Sequence, residues 1–482
     1  MTFLVNPYQV QAAVIDSFSN TYSLDFDGAD DYVTMGDVLD SVLEYNAAFS
    51  ISWWMYPTNI SGTESLVSKQ DVSDQYKGFN VYTNSSKIRA SLTNNNGSGN
   101  RLIVDGSTTL SNSQWYHIVI TYDGSTDASG MKIYVNGAAE TMSTVADGLT
   151  ATTANAADFN IGSRDNGNLP YTGKIDEASI WSAELDSDAV TALYNSGSPI
   201  DLSSDSGDYD NSGDLQAWYR MGDGDTYPVV QDETAFSNTS IEFDGVSSYV
   251  DCGTGLNSSL GYGDSFSISG WVYNTIAGWA GFCSNFLSGP NGVYITKTNG
   301  NCFRFAIVDG AAYKIIDSSS YFANQWLHVT CTYGGSGAMN VYVNASLDNA
   351  STLSNGTPID ITSTEIFQIG RLGTTSTYVW DGKIQQVGVW SVELDADAVT
   401  ALYNSGEPFD ITSDSGDYDN SSSLIGFWRM GDGDTYPTIT DNSTNSNDGT
   451  MTNMASDDFV AGKGAGTMTN MASGDIVEDV PS

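Results

Sequence analysis

Two histidines, His117 and His328, are the only imidazoles in the 482 residues, and each is third in a Trp-x-His triplet. An imidazole with an ordinary pKa suits general base work, but it needs a nucleophile and an orienting group within hydrogen-bond reach. The adjoining sequence places neither beside them, so both read as structural. Paired carboxylates could flank a glycosidic bond, and Glu184-Leu185-Asp186-Ser187-Asp188 spaces three acids at alternate positions. That run opens a helical pattern, where acids favour the helix dipole instead. The segment Asp208 to Gly213, DYDNSG, starts like a calcium loop, yet Tyr219 stands where a bidentate Glu belongs and the second copy has Ser422 in place of the Gly. A solvated acidic loop is the simpler reading, and Asp223, Asp225, Asp432 and Asp434 share the ambiguity. No P-loop, GxSxG or HExxH is present. The chain reads as non-enzymatic.

These residues are positioned by a duplication. Trp181 to Pro228 aligns without a gap to Trp390 to Pro437, with identity at 36 of 48 positions. The correspondence extends upstream: Ser23–Gly36 matches Ser240–Gly253, FSISWW at Phe49 matches FSISGW at Phe266, and QWYHIVITYDGS matches QWLHVTCTYGGS. One module is built twice. The boundaries follow: residues 1–20 an arm, 21–232 the first module, 233–440 the second, and 441–482 a low-complexity tail.

Within each module, short runs such as SISWWMY, GFNVYT, RLIVDGS and MKIYVNG alternate apolar and polar residues between Gly, Asn, Asp and Ser clusters. This spacing predicts an all-β fold of two antiparallel sandwiches. Each has one short helix, capped by Asp186 in the first copy, apolar at Val190, Leu193 and Tyr194, and stopped at Gly197. The arm is either a frayed end or a segment that orders on a partner. The tail carries GTMTNMAS twice, at Gly449 and Gly466. It is either mobile or extended over a neighbour, and its recurring methionines favour contact with a neighbouring surface.

Sixteen basic residues against 59 acidic ones give a formal charge of −43. A phosphate backbone is repelled by such a field, which excludes nucleic acid as partner. The acids serve solubility, or some are paired by calcium. No apolar run of membrane-spanning length occurs, and the first twenty residues lack the basic start of an export signal. The four cysteines, Cys252, Cys283, Cys302 and Cys331, all fall in the second module, with no metal or redox spacing. They read as small core residues, not as a disulfide framework.

The motifs L-x-FDG-x-x-DYV, WYHIVITYDG, YVNG and GKIDEASIWSAELDSDAVTALY resemble, in this order, the laminin G-like jelly roll of the concanavalin A-like superfamily. The resemblance implies two stacked antiparallel sheets and a structural Ca²⁺ held by Asp27, the Gly28 carbonyl and Asp176. In the second module only Asp244 and Gly245 match and Gln385 replaces the acid, implying a weaker site or none. Related glucan-cleaving sandwiches carry E-x-D-x-x-E, whose last Glu is Ala189 here. Glycan pockets in such sandwiches use exposed aromatics beside polar loops, which makes Arg164, Tyr171, Trp279 and Trp380 the candidate ligand-binding residues. The chain ends also resemble those of bacteriophage structural proteins with such domains. The leading expectation is an adhesion protein of a virus particle, a tail or head appendage meeting host-surface carbohydrate, with other virion proteins and further copies of itself as partners. An architectural capsid or tail subunit and a secreted polysaccharide-binding adhesin are the alternatives.

Overall fold

The computed structural model describes residues 18–481 apart from 262, 276–277, 287–290, 311, 322, 336, 351–352, 356–362 and 375–377. Of the N-terminal arm, residues 1–17 lie outside the described residues. The described chain forms four antiparallel sheets, two of eight and two of nine strands, paired as two sandwiches. The only α-helices described are Ser187–Tyr194 and Ala396–Tyr403, and no helix is long and apolar enough to cross a membrane.

The central strand Phe49–Pro57 shows why the sequence folds this way. Phe49, Ile51, Trp53 and Met55 point into the inter-sheet core without exposed surface. Ser50, Ser52 and Trp54 point the other way, toward His117 and the helix, as a two-residue side-chain period requires. The helix buries Val190 and Leu193 in a small second core with Trp181 and Tyr209. Asp186 caps it, its carboxylate accepting from Asp188 N and Ala189 N. The left-handed stop falls at Asn195, with φ of 42°, two residues before Gly197. Asn tolerates this region almost as Gly does.

The tail departs from expectation. Gly449–Thr452 pairs with Tyr249–Asp251 and Thr438–Ile439, and Phe459–Ala461 pairs with Thr239–Asp244, completing both sheets of the second module. The second copy crosses back: Gly466–Thr469 pairs with Tyr32–Thr34 and Val229–Val230, and Ile476–Val477 pairs with Ser23–Asp27, completing the first module. The two closures use the same bonds. Met451 N donates to Pro437 O and Met468 N to Pro228 O, each at 2.8 Å. Tyr436 Oη and Tyr227 Oη donate to Met454 O and Met471 O, each at 3.0 Å. The segment 441–482 is therefore no separate low-complexity tail. Met451 belongs to one core and Met468 and Met471 to the other, because each open sheet edge needs a strand to satisfy its ladder groups.

All four cysteines are free. Cys252, Cys283 and Cys331 are buried, and Cys331 pairs with Ile268 as Ile120 pairs with Ile51. Cys302 differs, being only half-buried.

Candidate binding groove and the buried polar sites

His117 Nε2 lies 2.7 Å from Ser52 Oγ, a partner that sits across the sheet and is invisible to local sequence. The pair carries no catalytic relay. Nδ1 has no partner, the ring packs between Trp54 and Tyr194, and burial pushes its pKa down to about 3. The adjoining void of about 10 Å³ holds one water at most. His328 and Ser269 repeat the arrangement at 2.8 Å.

The expected calcium ligands do not converge. Asp27 faces Thr172 in register, whereas Asp176 faces Trp54 four residues further along the Thr172–Trp181 strand, roughly 13 Å away at strand rise. Asp176 is fully buried; its Oδ2 accepts from Asn20 Nδ2 at 2.7 Å and its Oδ1 has no partner. Burial, reinforced by the neighbouring Glu177 charge, holds its carboxyl well above the usual range. Glu177 is pushed up to about 8 by burial, against the pull of Arg220 at 3.1 Å and Trp218 Nε1 at 2.5 Å. Asp27 groups instead with Asp30 and Asp31, whose carboxylate oxygens lie within 4.8 Å of one another.

The DGD acids are latches. Asp223 accepts from Thr21 N and Tyr22 N, and Asp225 from Gly222 N and Gln231 N. In the second module Asp432 accepts from Ser237 and Asn238, and Asp434 from Gly431 N and Thr440 N. In the DYDNSG segment, Tyr209 is buried and donates to Leu202 O. Glu184 pairs with Lys132 at 2.6 Å.

Of the four candidate ligand-binding residues, Tyr171 and Trp380 have no exposed surface and belong to the two cores. The Trp380 indole donates to Tyr273 O at 3.1 Å. Rings of this size fill cores readily, which corrects their assignment to a pocket. Trp279 is half-buried beneath the Arg304 guanidinium at 5.2 Å.

Arg164 lies in a groove of about 320 Å³ on the outer face of the first module's nine-stranded sheet. Strand alternation builds it. Phe79, Val81, Ala90, Leu92, Leu102 and Val104 face the core. The intervening residues Asn80, Tyr82, Arg89, Ser91, Thr93 and Arg101 face outward and line the groove. Register sets them in rows: Tyr82 opposite Arg89 opposite Asp105, and Thr93 opposite Arg101. Arg89 is clamped by both Asp105 oxygens, at 2.5 and 2.8 Å, and this pairing raises its pKa further. Arg164 rests over the Tyr76 ring at 5.2 Å, with its pKa lowered by burial. The Nε–H groups of Arg101 and Arg164 and the amide nitrogen of Asn80, all buried, have no partner among the described residues. Three of the seven arginines of a strongly acidic chain thus line one groove with donors to spare.

The second module does not repeat this. Arg304 is clamped by Asp317 as Arg89 is by Asp105. Arg371 lies on the Tyr249 ring at 3.5 Å with its nitrogens on Gln368 Oε1. Tyr313 faces Val308 in the register position that Arg101 occupies opposite Thr93. The groove residues Asn80, Tyr82, Arg89 and Arg101 escaped the sequence reading, although their outward parity in KIRASL and RLIVD was a usable signal.

Comparison with known proteins gives a family match over residues 27–191 and 244–400, described as the concanavalin A-like lectin/glucanases superfamily. Among solved structures, domains LG4-5 of the mouse laminin alpha1 chain align at 12% identity over 79% of this chain and 92% of that one, with a TM-score of 0.25. A SAP-like pentraxin from Limulus polyphemus aligns at 15% over 49% and 97%, with a TM-score of 0.30. The CBM40 of the Ruminococcus gnavus IT-sialidase aligns at 15% over 36% and 96%, with a TM-score of 0.29. A 91-residue stretch is 30% identical to botulinum neurotoxin type G of Clostridium botulinum, spanning 19% of this chain and 7% of the toxin.

Proposed function

The chain belongs to the concanavalin A-like lectin/glucanase superfamily, and from that premise we propose that it is a non-enzymatic adhesion protein of a virus particle that binds host-surface glycan. The reading rests on the outer groove of the first module, which Arg89, Arg101, Arg164 and Asn80 line beside Tyr76 and Tyr82. A sugar offers hydroxyl acceptors for the donors and C–H faces for the rings, which is how such clefts fix orientation. The buried carboxylates and histidines serve folding and none reaches this groove. The free thiols support assembly in a reducing compartment, as in the cytoplasm where virions form.

Labelled protein is expected to stain host cells and compete with infection, and the double variant R101Q/R164Q to lose both effects. Staining that survives the double variant would remove the groove from the account. Electron microscopy of purified particles tests the location, and particles without the protein would end the virion reading.

A further inference from the structure

The two modules share a second polar constellation, and only one copy of it is satisfied from within the chain. In the first module, Tyr56 and Trp115 meet at 5.6 Å between ring centroids and 59° between planes, with Lys174 Nζ 5.2 Å above the Tyr56 ring. The carboxylate of Asp479 caps this group. Trp115 Nε1 donates to its Oδ1 at 3.4 Å, and Lys174 forms an ion pair with its Oδ2. In the second module, Tyr273 and Trp326 repeat the ring pair at 5.7 Å and 59°, and Lys383 stands where Lys174 does.

The position equivalent to Asp479, seventeen residues earlier in the tail repeat, is Gly462. A Cβ on Gly462 would lie 2.6 Å from the amide nitrogen of Gln385, the residue that replaces Asp176. The built-in carboxylate is therefore missing. Lys383 Nζ donates to Ala461 O at 3.2 Å, and among the described residues it has no carboxylate within ion-pair distance; Glu242 is its register partner without pairing to it. Among the described residues the Trp326 indole N–H has no acceptor. Both donors line a cleft of about 600 Å³ between the modules. Of the other charges on its walls, Asp37 pairs with Lys69 and Lys463 with Glu407, while Asp158 accepts from the neutral Asn166 amide.

We propose that the Trp326 indole N–H and the Lys383 ammonium form a binding cradle for the carboxylate of an acidic sugar, whose ring packs against the Tyr273–Trp326 pair. A carboxylate accepts both donors at once, as Asp479 does in the first module, and charge-assisted bonds of this kind are the strong ones. The site is separate from the outer groove.

The test uses the full chain labelled with 5-fluorotryptophan and titrated with glucuronate, with glucose as the uncharged control. No tryptophan lines the outer groove, so the Trp326 resonance reports the cleft. It is expected to shift saturably with glucuronate and not with glucose. Lys383→Gln should weaken the effect about tenfold, the usual order for one charged hydrogen bond. Trp115, covered by Asp479, should stay silent in the native protein and respond in Asp479→Gly. An unmoved Trp326 resonance, an equal response to glucose, or an unchanged affinity in Lys383→Gln would overturn the proposal. Loss of the outer groove's glycan binding would leave this result untouched.

Discussion

The two modules share a frame and differ in the polar groups they seal inside it. At the bulge of the Thr172–Trp181 strand the first module has Asp176 and Glu177; at the same bulge of Asp381–Trp390 the second has Gln385 and Gln386. Glu177 and Gln386 adopt the same left-handed conformation, at φ 48° and 49°. Asp176 meets Asn20, while Gln385 donates to Ser237 O and accepts from Lys463 N. Arg220 pairs with Glu177, whereas Arg429 sits over the Phe236 ring with its Nε unpartnered. Amides occupy in one copy the positions that carboxyl groups occupy in the other. Groups that can be exchanged for neutral ones without altering the fold are holding structure, not running chemistry. The modules also differ at the surface: the first has the arginine-lined groove, and in the second Lys383 has no carboxylate within ion-pair distance among the described residues.

The largest effect is expected from the tail. Removing residues 465–482 strips Met468, Met471 and Ile476 from the first module and nothing from the second. Burial of such side chains contributes about 1.5–3 kcal/mol each, so the first module should lose several kcal/mol. All cysteines lie in the second module, and thiol reactivity on heating therefore tracks that module alone. Calorimetry should show one transition lowered while the thiol-reported transition holds. Equal lowering of both would break the assignment of one closing segment to each module.

The pH response should be intermediate in size. Asp176 and Glu177 have folded pKa values above their unfolded ones. Folding favours their protonated forms, so the contribution of these two groups to the first module is fullest below the unfolded carboxylate range. That module loses stability as pH rises toward the Glu177 value of about 8. The slope approaches 1.4 kcal/mol per pH unit for each such group. Asp225 and Asp232, pushed up by burial to about 7 and about 6, add to this slope; Asp176→Asn should reduce it in part, and the second module, where Asp434 is raised by burial, should show a smaller slope. A first module as stable at pH 9 as at pH 5 would contradict the buried-acid account.

Calcium should give the smallest effect. With Asp176 sealed in the sheet, Asp176→Asn is expected to leave the melting response to added calcium or chelator as it is in the native chain. Loss of a calcium response in that variant would restore Asp176 as a ligand.

The strands were legible because alternation reports which face meets the core, and FSISWW and MKIYVNG do so without ambiguity. The helix was legible from its Asp cap and apolar spacing. The methionine contacts of the tail were legible, but its strand pairing was not, since GTMTNMAS becomes a strand only against an open sheet edge formed by residues hundreds of positions earlier. Tyr171 and Trp380 misled because an aromatic in a Gly-rich loop looks exposed until the opposing sheet covers it. The groove stayed hidden because Arg89, Arg101 and Arg164 converge only through sheet register. The Ser52–His117 contact and the burial of Asp176 are likewise properties of neighbouring strands, which spacing along one strand does not encode.

The most direct test of the account is a glycan array probed with the native chain, R101Q/R164Q and, as a control arginine in the other module, R371Q. The account predicts binding by the native chain, loss in the first-module double variant through removal of the two open guanidinium donors, and retention in R371Q. Binding unchanged in R101Q/R164Q, or lost equally in R371Q, would contradict it.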